Sequence, residues 1–260
     1  MAYFTSFAFP VMIEDDDVDM IEDVLSTMDL ENGLALLINS PGGDGLASER
    51  LINVLRSYSK TGTYDAYIIG KAKSAATLAC FGAETIYMCK TAELGPVDPQ
   101  VTFIDSETNR PKRFSVCNLV KSYENLFERA VKEKGNLQPY LQQLSHYDER
   151  EIEEYRAAIF LSEDISIRSL KSGMFKSLAD KTIKNKIKMF LTPEETKSHG
   201  RPIYFNETKK AGLNVKEIHN DDELWRYLFE LYTRIDQYTK TIVAKCIENK
   251  KESFLVGISD

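Results

Sequence analysis

An α/β fold with mainly parallel sheets and flanking helices, followed by a helical C-terminal region, is predicted by two observations. From Leu34 to Cys89, apolar strand-type runs alternate with stretches of helical periodicity. Strands separated by helices imply right-handed crossovers, which build a parallel sheet. From about Ser115 onward the apolar residues recur every three or four positions, the spacing of helices with one face on a core.

Taken in order, Met1 to Pro10 lacks a basic start and is too short to be a secretory signal segment. The acidic cluster Glu14-Asp15-Asp16-Asp17 precedes Met20, Ile21, Val24 and Leu25 at helical spacing, which reads as an acidic helix start. It lacks the glycine and the distal glutamate of a calcium loop. Leu34-Ala35-Leu36-Leu37-Ile38 is a buried-type strand that runs into Asn39-Ser40-Pro41-Gly42-Gly43. A helix over Leu46 to Ser59, a strand over Tyr64 to Ile69, a helix over Ser74 to Gly82 and a strand over Thr85 to Cys89 follow. Leu94-Gly95-Pro96-Val97-Asp98-Pro99 is a proline-bounded turn that no helix crosses. Residues 105–111 are polar and turn-rich, the best candidate for a mobile loop or a boundary. Helices are expected over Ser115 to Lys134, Glu149 to Leu170, Ser177 to Leu191 and Asp221 to Ile247, the last carrying the single tryptophan, Trp225, as a packing anchor.

Composition narrows the function classes. A net charge of −7 over 260 residues offers no general attraction to nucleic acid or to an anionic membrane surface. The four cysteines, Cys80, Cys89, Cys117 and Cys246, show no metal-ligand spacing and read as reduced structural thiols. No apolar run reaches the ~18 residues of a membrane span. A soluble, cytoplasmic protein without metal or cofactor is expected. Lys181, Lys184, Lys186 and Lys188 form a basic run, read as a solvated face, with contact to an acidic partner or to the acidic N-terminal helix as the alternative.

Two elements suit acyl transfer. A glycine pair just past a strand can turn backbone N–H groups toward a developing oxyanion, and Ser74, opening a helix before Ala75 and Ala76, has the placement of a nucleophile. A plain helix N-cap is the competing reading of Ser74, and a structural turn that of Gly42-Gly43. Lys71 and Lys73 flank the serine and read as surface or partner-binding residues; His146 and His219 read as exposed.

The strings Ile38 to Gly43, Gly70 to Leu78, Gly82 to Met88 and Glu93 to Gln100 resemble the Clp/crotonase superfamily, and within it the serine dehydrogenase proteinase family, related to signal-peptide peptidase A. A weaker match resumes from His199 through Gly200-Arg201-Pro202-Ile203 to Val215. The resemblance implies a repeated ββα-type core, with a serine peptidase domain over 1–220 and a C-terminal helical extension over 221–260. It implies Ser74 as nucleophile of an acyl-enzyme, and Gly43 and Ala75, with Gly42 beside them, as the oxyanion hole. It further implies a peptide or protein substrate and a homo-oligomer, and leaves open a peripheral membrane or unfoldase partner.

The proton acceptor stays open between two residues. Where Clp-type peptidases carry their histidine, this chain has Val97-Asp98-Pro99. Relatives of signal-peptide peptidase A use a lysine, for which Lys121 is the best positional candidate. His199 lies in the segment resembling that of the third Clp triad residue, and Asp98 would then orient it, giving a Ser74, Asp98, His199 set in altered order. Two other functions compete with peptide hydrolysis: a crotonase-type acyl-CoA enzyme, which uses the same paired N–H groups on a thioester enolate, and a non-catalytic assembly subunit that keeps the fold.

Overall fold

The computed structural model describes residues 1–9, 11–105, 108–193 and 198–258. Its centre is a seven-stranded sheet ordered β11-β10-β1-β2-β3-β5-β9. The strands are β1 (Ala2–Thr5), β2 (Leu34–Asn39), β3 (Tyr64–Ile68), β5 (Thr85–Met88), β9 (Val215–Glu217), β10 (Val243–Glu248) and β11 (Ser253–Gly257). From β1 across to β9 every pairing is parallel, whereas β10 and β11 join antiparallel at the other edge. Two short strands, β4 (Lys71–Ala72) and β6 (Glu93–Leu94), pair parallel above the main sheet, and Ser40 bridges to Ala72 in the same layer. Each of β2 and β3 is thus followed by a short extended piece and then a helix, the ββα repeat expected from the sequence.

The helices are α1 (Asp15–Ser26), α2 (Gly45–Tyr58), α3 (Ala75–Phe81), α4 (Val116–Lys132), α5 (Gln138–Leu144), α6 (Glu149–Ser172), α7 (Asp180–Lys186), α8 (Lys188–Leu191), α9 (Phe205–Lys210) and α10 (Glu223–Thr241). β2 explains why its run is apolar throughout. Leu36 and Ile38 face the large core shared with Ile21 and Leu25 of α1 and Leu51 and Leu55 of α2, and Leu37 faces a second cluster with Phe4 and Ile235 of α10. A strand covered on both faces has no solvated side to alternate toward.

The architecture is the mixed α/β one predicted, with two corrections. Ala2–Thr5, in a stretch read only for targeting signals, form the strand β1. Of the described residues in 221–258, Glu223–Thr241 are helical as expected, but from Val243 the chain turns into β10 and β11, so the rest of the expected helical extension is part of the central sheet. Val243, Ala244, Cys246 and Ile247 all lie buried there, and Val-Ala-Lys-Cys-Ile has the strand composition that helical periodicity through Ile247 concealed. Trp225 is half-buried, packs against both clusters and stacks on Phe229 at 4.6 Å.

The turn-rich segment 105–111 closes an antiparallel hairpin of β7 (Gln100–Ile104) and β8 (Pro111–Ser115); Ser106 and Glu107, like Pro10 of the N-terminal call, lie outside the described residues. In the basic run, Lys184 pairs with Glu163 of α6 at 2.6 Å and Lys186 lies over the Phe175 ring. The acidic α1 takes different partners, Arg50 and Lys245. Among the described residues no helix is long and apolar enough to cross a membrane.

Candidate active site

The Pro41-Gly42-Gly43 turn leaves the end of β2 and enters α2, whose first turn is capped by Asp44 accepting from the Leu46 N–H at 2.8 Å. Beside it, the chain from β3 runs along Ser40: the Ser40 N–H donates to Lys71 O at 2.8 Å, and the Lys73 N–H donates to Ser40 O at 3.0 Å. This pairing delivers Ser74 directly onto the glycine turn. A Cβ on Gly42 would sit 2.6 Å from both Lys73 O and the Ser74 Cβ, and Gly42 itself has φ +107°, so only glycine serves there. Gly43 is required for space alone, since a Cβ would fall 2.2 Å from the Ile13 nitrogen.

Ser74 has φ 50° and ψ −120°, a region that an L-residue enters at a cost of about 1–3 kcal/mol. Although it stands at the N-cap of α3, its side chain makes no capping hydrogen bond. That separates it from an ordinary N-cap serine, which has extended backbone and an oxygen folded onto the helix end. The surroundings hold the strained turn in place. Ser48 Oγ donates to Ala75 O at 2.7 Å, and Thr77 Oγ1 donates to Ala72 O at 2.7 Å while accepting from the Gly95 N–H at 3.0 Å.

The N–H of Gly43 and that of Ala75 have no acceptor among the described residues. The Gly42 N–H, by contrast, is donated to Ser40 Oγ at 3.1 Å. The Gly42 N–H is thus engaged within the turn, whereas those of Gly43 and Ala75 are left without an acceptor among the described residues.

Asp98 lies on the proline-bounded turn between β6 and β7, its side chain fully buried. The turn is tied down by Ser162 Oγ donating to Val97 O at 2.7 Å and by the Val97 N–H donating to Phe190 O at 2.8 Å. One Asp98 oxygen lies 2.7 Å from His199 Nδ1, and the other accepts from Gln100 Nε2 at 3.2 Å. The His199 side chain is 27% exposed and opens onto a cleft of about 680 Å³ that Ser74, Gly42, Gly43 and Ala75 also line. With Nδ1 engaged by the carboxylate, Nε2 is the nitrogen left for exchange with the cleft.

Lys121 is exposed on α4 and is not among the residues that line this cleft. Lys71 is exposed, as expected, but Lys73 is not a surface residue. Its ammonium is largely buried, pairs with Glu93 at 2.7 Å and donates to Leu94 O at 3.1 Å, and Lys73 is not among the residues that line the cleft. Burial lowers its pKa, and Glu93 works against that shift. His146 and His219 are exposed. The buried thiols of Cys80 and Cys246 are pushed up by desolvation, the latter to about 12, which removes both as nucleophiles at neutral pH.

The supporting residues Ile13, Ser40, Ser48, Thr77, Gln100 and Ser162 were not singled out in the sequence. Ser40 and Gln100 lie beside motif residues and carried that much signal; Ile13 and Ser162 reach the site only through the fold. Thr77→Val keeps shape but strands the Gly95 N–H and Ala72 O in a buried setting. It is expected to lower stability by about 2 kcal/mol, read from the urea midpoint at unchanged slope.

No family model and no curated protein matches the chain. Among solved structures, it is similar to a lysine-to-alanine mutant of the 1510-N membrane-bound stomatin-specific protease in complex with a substrate peptide. That likeness has 16% identity and TM-score 0.33, over 86% of this chain and 94% of the other. A serine-to-alanine mutant of the same protease gives 15% identity and TM-score 0.33, over 81% of this chain and 94% of that one. With likenesses this loose, function has to be read from the chain's own geometry.

Proposed function

We propose that the protein is a serine peptidase that cleaves peptide bonds through an acyl-enzyme on Ser74, with His199 as general base and Asp98 as its orienting partner. The observation that carries this reading is the convergence in one cleft of a strained serine whose side chain makes no capping bond, two backbone N–H groups beside it with no acceptor among the described residues, and a histidine held on a buried aspartate.

Each group then has a task. Ser74 Oγ attacks the scissile carbonyl carbon while His199 Nε2 takes its proton. Asp98 fixes the tautomer by accepting from Nδ1–H and stabilises the imidazolium that forms. Negative charge developing on the carbonyl oxygen is met by the Gly43 and Ala75 N–H groups, each worth on the order of 3 kcal/mol in such a site. The positive end of α3 adds to that field. His199 returns the proton to the leaving amine, and water, activated by the same nitrogen, releases the acyl group from Ser74. Lys121 has no part in this scheme because it lies outside the cleft lining.

A fluorophosphonate probe tests the assignment, since it reacts only with a serine whose hydroxyl is activated. Mass spectrometry of the labelled chain is expected to place the adduct on the peptide containing Ser74. An adduct confined to any other serine, or none on the folded protein, would overturn the reading.

A further inference from the structure

We infer that Lys245 is a positioning residue through which the C-terminal strand β10 holds the oxyanion turn from two sides. The inference rests on the proposed peptidase reading of that turn. Lys245 is only 4% exposed, and its ammonium lies 2.8 and 3.0 Å from the two oxygens of Asp17, itself 1% exposed. Glu14 completes the cation's shell at 2.8 Å, and Tyr3 donates its hydroxyl to Asp17 at 2.7 Å. A cation and a carboxylate buried together are costly to desolvate, and an apolar residue would fill the same place on β10 more cheaply. What an ion pair adds is direction.

Two routes lead from Lys245 to Gly43, one through its side chain and one through its backbone pairing. In the first, Asp17 also accepts from the Glu14 N–H at 2.9 Å, which fixes the peptide immediately after Ile13. Ile13 is the residue that clasps the turn: its N–H donates to Gly42 O, and its carbonyl accepts from the Asp44 N–H, both at 2.9 Å. In the second, Lys245 stands opposite Thr5 in the β1–β10 ladder, and Thr5 Oγ1 lies 2.7 Å from Ser40 Oγ. Ser40 Oγ in turn accepts from the Gly42 N–H. The carbonyl and the N–H of Gly42 are therefore anchored by separate chains of contacts that begin at one residue of β10. Gly43, which lines the cleft, lies between these anchors, and its N–H has no acceptor among the described residues.

The test is hydrogen exchange on the full chain, with hydrolysis measured in parallel. In Lys245→Met, amides in peptides spanning 11–14 and 41–45 are expected to exchange about tenfold faster, with α2 and α6 unchanged. The turnover number is expected to fall about tenfold, with KM within about twofold, as for loss of an interaction made only in the transition state. Wild-type exchange at 41–45 in the folded variant would overturn the inference. Asp17→Asn, which keeps shape and removes the carboxylate joining Lys245 to the Glu14 N–H, covers the case in which Lys245→Met fails to fold: faster exchange at 11–14 and 41–45 supports the link, and unchanged exchange overturns it. Exchange that responds in a protein whose hydrolysis does not depend on Ser74 would leave the structural link standing and remove the peptidase reading instead.

Discussion

Ser74→Ala is expected to lower the rate of peptide hydrolysis by about 10⁴-fold or more while leaving the fold intact. The size follows from what is removed. The oxyanion donors and the cleft remain, so the variant keeps only the acceleration that binding and the two N–H groups supply without a covalent intermediate. Alanine does not relieve the strained backbone at this position, since it carries the same Cβ, so stability should change by little. Comparing kcat/KM for the two proteins on a quenched-fluorescence peptide, alongside their urea midpoints, makes the check. A variant that retains more than about a tenth of the wild-type rate would show that this hydroxyl does not carry the chemistry.

The second large effect decides which residue takes the proton. His199→Ala is expected to cost about 10⁴-fold in kcat, and Asp98→Asn a similar amount, because an amide in place of the carboxylate can hold the imidazole in the wrong tautomer. Lys121→Met, on the exposed side of α4, should leave kcat within about twofold. The three variants form one experiment, and the opposite ranking, with Lys121 essential and His199 dispensable, would replace the histidine scheme with a lysine one. Because Asp98 is buried and makes a second hydrogen bond, to Gln100, the asparagine is preferable to alanine: it keeps that contact and the volume.

These expectations draw on features of unequal visibility. Gly42, Gly43 and Ser74 could be found in the chain itself because backbone requirements leave a local trace: a glycine pair after a buried strand, and small residues after a serine at a helix start. Lys73 shows where local reading stops. Next to Ser74 and charged, it read as exposed, yet Glu93 on the neighbouring strand β6 and the Leu94 carbonyl draw it inward. Gly42 is similar, since nothing in Pro41-Gly42-Gly43 says which of the two N–H groups Ser40 will occupy. The helical reading failed beyond Thr241 for a related reason. Short strands buried on a sheet depend on what covers them, and periodicity cannot see that cover.

By itself, then, the sequence determined the alternation of strands and helices, the nucleophile candidate, the glycine turn and two rival bases. Those follow from propensity, spacing and the steric demands of single residues, all of which act within a few positions along the chain. Tertiary structure alone decided that His199 meets Asp98, 101 positions apart, while Lys121 remains outside, and that β10 closes the sheet beside β1. Contacts across such separations depend on how the parallel sheet orders its strands and on which loops its crossovers bring to one end. A buried aspartate gains a partner only when that order has formed, so from the sequence the pairing stood only as one of two alternatives, carried by resemblance.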